Sequence, residues 1–328
     1  MPTGLDANNS ERRDPGAGGP PSGGRGGPSL RRGTSRWGER AIEFLLMLAA
    51  ASSVLITIGI VAVLIKESMA FFREASVREF LTGPSWAPAF EPPAFGIRSL
   101  VSGTLVTTAV ALLVAIPVGT IVSVWLSEYA KPRVRETVKP ALELLSAIPT
   151  VVFGYFALLF VTPALQWLFA RVGIELPGFN MLSAGLVMGV MIVPYIASLS
   201  EDAMRSVPAA LREGALAMGA TKFQTAVKVV FPAALSGITA AYILGISRAL
   251  GETMIVAIAA GQEAKFTFDP TEQAQTITAF IVQISGGDLP HESTGYRSIF
   301  AAGLTLMLMT LAFNVGGFLL RRRYKETY

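Results

Sequence analysis

The chain has no cysteine and a single histidine, His291. Disulfide frameworks, thiolate nucleophiles and Cys/His metal clusters are thereby excluded. Charged residues are also scarce, at 15% of 328, against roughly 25% in an average soluble domain. No Gly-x-x-x-x-Gly-Lys-Ser/Thr run occurs, so the chain has no phosphate-cradling loop of its own for ATP. Nor is there a constellation of His, Cys or paired carboxylates suited to hydrolysis, which argues against an enzyme. The net charge is only +4. The excess Lys and Arg flank apolar runs, the pattern of topological signals rather than of nucleic-acid binding.

What the chain does have is apolar surface. At 52% hydrophobic residues and a mean hydropathy of +0.52, it carries more than a soluble domain of this length usually buries, and a bilayer is its natural solvent. The run Ile42 to Ile65 is far longer than the roughly 7–15 residues of a signal-peptide core. It is expected to stay as a first membrane helix over 41–66, despite Arg12-Arg13, Arg31-Arg32 and a small-residue stretch at 49–53. Further runs at 103–127, 141–168, 181–200, 236–260 and 299–320 are each long enough for a hydrocarbon core of about 30 Å. An all-α integral membrane protein with six transmembrane helices follows. Placing the N-terminus in the cytoplasm leaves most Lys and Arg on that side, so the positive-inside rule puts both ends there.

Residues 1–40 are rich in Gly, Pro, Ser and Arg and read as a disordered basic tail. The segment 67–98, with Phe71-Phe72, Trp86 and several prolines, is expected to be an irregular extracytoplasmic spacer at the interface. Loop 128–140 reads as a short basic cytoplasmic turn and loop 261–298, with His291, as extracytoplasmic. The last residues, 321–328, form a basic cytoplasmic end. Between the fourth and fifth runs, 201–233 lacks linker composition. Leu211, Ala215 and Met218, then Phe223, Val227 and Val230, recur at helical spacing on either side of Gly219, which predicts two short amphipathic helices meeting at that glycine.

Glu213-Gly-Ala-Leu-Ala-Met-Gly219, followed after nine residues by Val229-Val-Phe-Pro232, resembles the coupling-loop motif of ABC-importer permeases. Gly214, Val229 and Phe231 depart from the usual alanine, isoleucine and leucine. The resemblance implies that loop 205–232 is a compact knob docking in a groove of a cytoplasmic ATPase, with Glu213, Gly214, Ala215, Gly219 and Pro232 as its motif residues. Gly219 suits a tight helix-helix turn, and Pro232 starts a helix where its missing N–H is harmless.

In Gly245-Ile-Ser-Arg-Ala-Leu-Gly-Glu-Thr-Met254, Arg248 and Glu252 are four apart, which would put them on one face of the fifth span. Charges at that depth face a protein or aqueous interior and pair. Two readings stand: a mutual ion pair, or a gate and cationic step for an anion, with Thr253 beside it. This segment resembles the PstC family of phosphate permease subunits. Ala147-Ile-Pro-Thr-Val-Val-Phe-Gly154, Ile192-Val-Pro194 through Glu201-Asp-Ala-Met-Arg-Ser-Val-Pro208, and Phe80-Leu-Thr-Gly-Pro-Ser-Trp86 agree, so the likeness covers about 42–320.

That resemblance implies a type I ABC-importer permease fold, with the permease core over 99–320. It also implies a heterodimer with a PstA-like permease, a PstB-like cytoplasmic ATPase dimer and a PstS-like extracytoplasmic phosphate-binding protein, set in membrane lipid, with no cofactor. A permease for molybdate or sulfate is the alternative within the class. A secondary anion transporter is the alternative outside it, and the inverted repeats that would mark one are not seen. Glycines and threonines of the second span (Gly103-Thr104, Thr107-Thr108, Gly119) and Gly237, Gly245 and Gly251 of the fifth are expected to serve helix packing.

Overall fold

A computed structural model describes residues 36–323. Most of the N-terminal tail and the extreme C-terminus lie outside the described residues. The chain divides into two units, one ending at Ile56 and one beginning at Thr57. Within the described residues the first unit is helical throughout, the opening half of α1 (Arg36–Glu74). The described residues are therefore already helical at Arg36, inside the expected tail, and the helix runs eight residues past the expected end at 66.

In the second unit, α1 is followed by α2 (Val77–Thr82), a two-stranded antiparallel ribbon of β1 (Trp86–Ala87) and β2 (Ala94–Phe95), and α3 (Arg98–Val124). Then come α4 (Pro132–Ser146), α5 (Thr150–Phe156), α6 (Thr162–Ala170) and α7 (Met181–Arg205). The short helices α8 (Ala209–Ala217), α9 (Lys222–Thr225) and α10 (Phe231–Ala233) lead to α11 (Leu235–Leu250), α12 (Met254–Ala259), α13 (Ile277–Ser285) and α14 (Thr294–Arg323). Among the described residues, five helical stretches are long and apolar enough to cross a membrane: Trp37–Glu74, Arg98–Tyr129, Thr150–Ala170, Met181–Arg205 and Thr294–Leu319. A sixth exists if Lys222–Ala233 and Leu235–Leu250, bent by 73° at their junction, count as one span.

Three of these helical stretches contain a π turn, at Trp125–Tyr129, Ala157–Val161 and Ala226–Val230. In each, an N–H reaches the carbonyl five residues back, as Ala130 does to Trp125 at 2.9 Å. The first extends α3 and the second joins α5 to α6.

The core is the packing of α3 on α7. Apolar attraction between helices is weak in lipid, so close van der Waals fit has to hold them. Gly189 supplies it: a Cβ there would come within 2.7 Å of the Ala111 carbonyl oxygen. Met188, Met191, Ile192 and Ile196 fill the seam and are fully buried or nearly so. Gly119 and Gly245 flank the same seam, a Cβ on either meeting Ile196, as a packing role requires.

The segment after α1 is no irregular spacer. Phe71, Phe80, Trp86 and Phe95 are buried in an edge-on aromatic cluster that rests on Phe280 of α13, with Trp86 and Phe280 ring centroids 5.1 Å apart. Burial on every side explains the density of rings, each of which brings a large apolar area in one rigid piece. Nor is 128–140 a short turn: Pro132–Ser146 is a helix, and the following span starts only at Thr150, after Pro149. The expected fifth span over 236–260 is also interrupted, because α11 stops at Leu250 and α12 starts at Met254.

Candidate functional site

Two regions carry the residues singled out by sequence. In the first, α7 passes through Ser206-Val-Pro208 into α8, which closes at Gly219 and returns through α9. Gly219 has φ +83° and its N–H meets the Leu216 carbonyl at 3.0 Å, while the Ala220 N–H reaches Ala215 at 3.1 Å. This is a left-handed helix end, which glycine adopts without the Cβ penalty. Thr221 then caps α9: its hydroxyl accepts from the Gln224 N–H and the Gln224 side chain accepts from the Thr221 N–H. Met218 is 89% exposed and Phe223 66% exposed, so the apex presents two large apolar side chains. Glu213 and Gly214 lie on the exposed side of α8, and Ala215 is half-buried. Pro232 stands at the start of α10.

Arg212, which sequence reasoning passed over, anchors this hairpin. Its guanidinium donates to the Met204 and Val207 carbonyls, both at 2.7 Å, and to the Glu128 carboxylate at 3.2 Å. One side chain thereby ties α8 to the end of α7 and to the π turn ending α3. Planar guanidinium geometry suits such divergent acceptors. The one hint in the sequence was an arginine beside the motif's glutamate.

In the second region, Arg248 occupies the last turn of α11, where its charge favours the helix C-terminus. Its guanidinium lies 5.6 Å from the Tyr195 ring centroid, a cation–π distance. Glu252 falls in the break between α11 and α12, so it does not share a helix face with Arg248. No ion pair joins the two among the described residues. Instead the Glu252 carboxylate turns toward α12 and accepts from the Met254 N–H at 3.2 Å, an N-capping role. Its backbone carbonyl accepts from the Thr278 hydroxyl at 2.7 Å, which moors the break to α13. The Thr253 hydroxyl donates to the Gly251 carbonyl at 3.2 Å. Arg248 is left half-buried with its donors uncommitted among the described residues.

A charge cluster also lies where α4 meets α7. Glu201 is fully buried, with Oε2 2.7 Å from Lys139 Nζ and Oε1 3.7 Å from Nε of both Arg135 and Arg205. Lys139 also binds Asp202. Partial burial lowers the Lys139 pKa, yet its hydrogen bonds to Asp202 and Glu201 outweigh that and hold it above the ordinary lysine value.

Residues 115–326 match the family described as binding-protein-dependent transport system inner membrane component. The chain is 33% identical over 270 residues to a probable ABC transporter permease protein, YqgH, of Bacillus subtilis, covering 82% of this chain and 84% of that one. It is 32% identical over 280 residues to the phosphate transport system permease protein PstC of Mesorhizobium japonicum, covering 80% and 84%. Among solved structures it is similar in fold to a chain of a bacterial ABC transporter involved in import of the polysaccharide alginate. The TM-score is 0.61 and the identity 16%, with 88% of this chain and 99% of that one covered. The hairpin, the packed spans and these matches agree: the chain belongs to the binding-protein-dependent transport system inner membrane components, the multi-pass permease subunits of ABC importers.

Proposed function

We propose that this permease subunit serves an ATP-driven phosphate importer. It forms half of the pathway with a PstA-like permease, takes energy from a PstB-like ATPase dimer, and receives phosphate from a PstS-like extracytoplasmic binding protein. Both termini are cytoplasmic, and the hairpin 205–232 is the part that docks in the ATPase. The observation that carries the reading is the hairpin itself: an apolar apex of Met218 and Phe223 on a rigid turn, anchored by Arg212. Closure of the ATPase would move α8, and Arg212 would pass that movement to α7 and α3 together. The likeness to PstC supports phosphate as cargo.

Arg248 is the proposed contact for the passing anion, because its donors are uncommitted and its fork matches an oxyanion bidentately. Glu252 and Thr253 shape the break next to it rather than neutralising it. The test is co-purification of the subunit with its partners, reconstitution in liposomes and ATP-dependent uptake of radiolabelled phosphate in competition with molybdate and sulfate. An assembled complex that imports labelled molybdate or sulfate with ATP, but not labelled phosphate, would overturn the substrate and leave the permease role standing.

A further inference from the structure

Glu201 lies outside both the hairpin and the helix break, yet it is among the most costly residues in the molecule to place. A buried carboxylate must be paired to be tolerated, and well-packed apolar side chains would hold α4 on α7 at least as firmly. Among the described residues the other buried acid is Glu252, whose carboxylate is occupied as a cap. Glu201 has no such local duty. Its partners come from two helices: Arg205 one turn onward on α7, and Arg135 and Lys139 on α4.

We infer that Glu201 is a positioning residue that carries movement of the hairpin sideways from α7 into α4, and through α4 to the helix break. The inference rests on the proposed coupling role of the hairpin.

Two observations support it. The first is the asymmetry of the carboxylate. Oε2 has its hydrogen bond from Lys139, but Oε1 accepts none, and two guanidinium nitrogens stand 3.7 Å from it, one on each helix. An approach of under about 1 Å by either brings it to hydrogen-bond distance. The oxygen has lone-pair room for the donor on α4, the donor on α7 or both, so a displacement of either helix changes which bonds this joint holds. The second is connectivity. α7 runs through Ser206–Pro208 into α8, so the hairpin moves with the end that bears Glu201. α4 runs through Ala147–Pro149 into α5, and Gly154 of α5 sits against α12, where a Cβ would come within 2.9 Å of Ile258 and 3.2 Å of the Met254 carbonyl. Every step from the hairpin to Met254, beside the Glu252 cap, is a covalent connection or a direct contact.

The experiment uses the complete complex with its partners in liposomes. Backbone hydrogen exchange in α8, α5 and α12 is compared with and without ATP plus orthovanadate, and phosphate uptake is divided by ATP hydrolysed. Wild type is expected to respond in all three helices. Glu201→Gln, which keeps the shape and removes the charge, should keep the α8 response, lose the α5 and α12 responses, and import at least tenfold less phosphate per ATP. Arg135→Gln, a change at a more exposed side chain, should lower the ratio severalfold and decides the matter if Glu201→Gln does not assemble. Wild-type exchange responses and ratios in the assembled variant would overturn the inference. So would uptake and hydrolysis falling in parallel with the amount of complex, since that marks packing alone. A wild-type α8 indifferent to nucleotide would remove the coupling reading of the hairpin first, and this inference with it. Exchange needs no substrate, so an error about phosphate would not blur the result.

Discussion

Valine at position 219 tests the hairpin through its backbone alone. Gly219 sits at φ +83°, and a Cβ built there meets no atom within 4 Å. The added Cβ therefore meets no steric collision, and what remains at that carbon is the cost of holding an L-residue in the left-handed region. That cost is about 1–2 kcal/mol per residue, or a factor of roughly 5–30 in the population of the native turn, and is larger for a β-branched side chain. Asparagine visits the same region more readily. The expected order of loss is Gly219→Asn, then Gly219→Ala, then Gly219→Val. Membrane levels should be equal, because no spanning helix is touched. Uptake per ATP hydrolysed, measured in vesicles with matched permease amounts, should fall along that series, to one-fifth or less for valine. Equal effects of all three would refute the backbone argument, and wild-type import by Gly219→Val would refute the docking role of the turn.

Arg248→Lys should reduce phosphate uptake at least severalfold with little change in the thermal stability of the complex, because a point charge replaces a bidentate fork. The exchange Arg248→Glu with Glu252→Arg should not restore transport. Glu252 caps α12 rather than pairing with Arg248, and recovery of uptake by the swapped chain would reinstate the ion pair. Gly189→Ala should destabilise the purified protein by about 1–3 kcal/mol, the usual range for overpacking, since its methyl group meets the Ala111 carbonyl oxygen at 2.7 Å. Gly214→Ala is the matched control: nothing lies within 4 Å of its Cβ. It should be neutral or slightly stabilising in thermal unfolding, through higher helix propensity.

Long apolar runs were legible because the bilayer imposes a length that no short-range rule can disguise, and the hairpin was legible because helical periodicity brackets Gly219. The misread parts share one cause, interactions across distances that spacing does not encode. Four-residue spacing placed Arg248 and Glu252 on one helix face, but the helix ends at Gly251 and the carboxylate finds nearer backbone donors. Phe71-Phe72 and Trp86 looked like interfacial rings because the cluster that buries Phe71 and Trp86 is completed by Phe280 of α13, far along the chain. The partnership of Lys139 with Glu201 spans 62 residues, and the basic run at 128–140 read alone gave only a topology signal. Arg212 was passed over for the same reason, its carboxylate partner lying 84 residues back.

The three π turns change what position along a helix means. Each holds one residue more than an α-helical turn, and one residue is about 100° of azimuth and 1.5 Å of rise. Across Ala226–Val230 the return limb of the hairpin is therefore out of phase with Phe231 and the residues beyond it. The same offset separates Thr150–Phe156 from Thr162–Ala170 within a single span. A one-residue deletion inside such a turn would restore an ordinary α turn and leave the downstream side chains on the faces they hold now, whereas the same deletion in a regular stretch of helix would swing everything downstream by about 100°, trading a lipid-facing side for a protein-facing one.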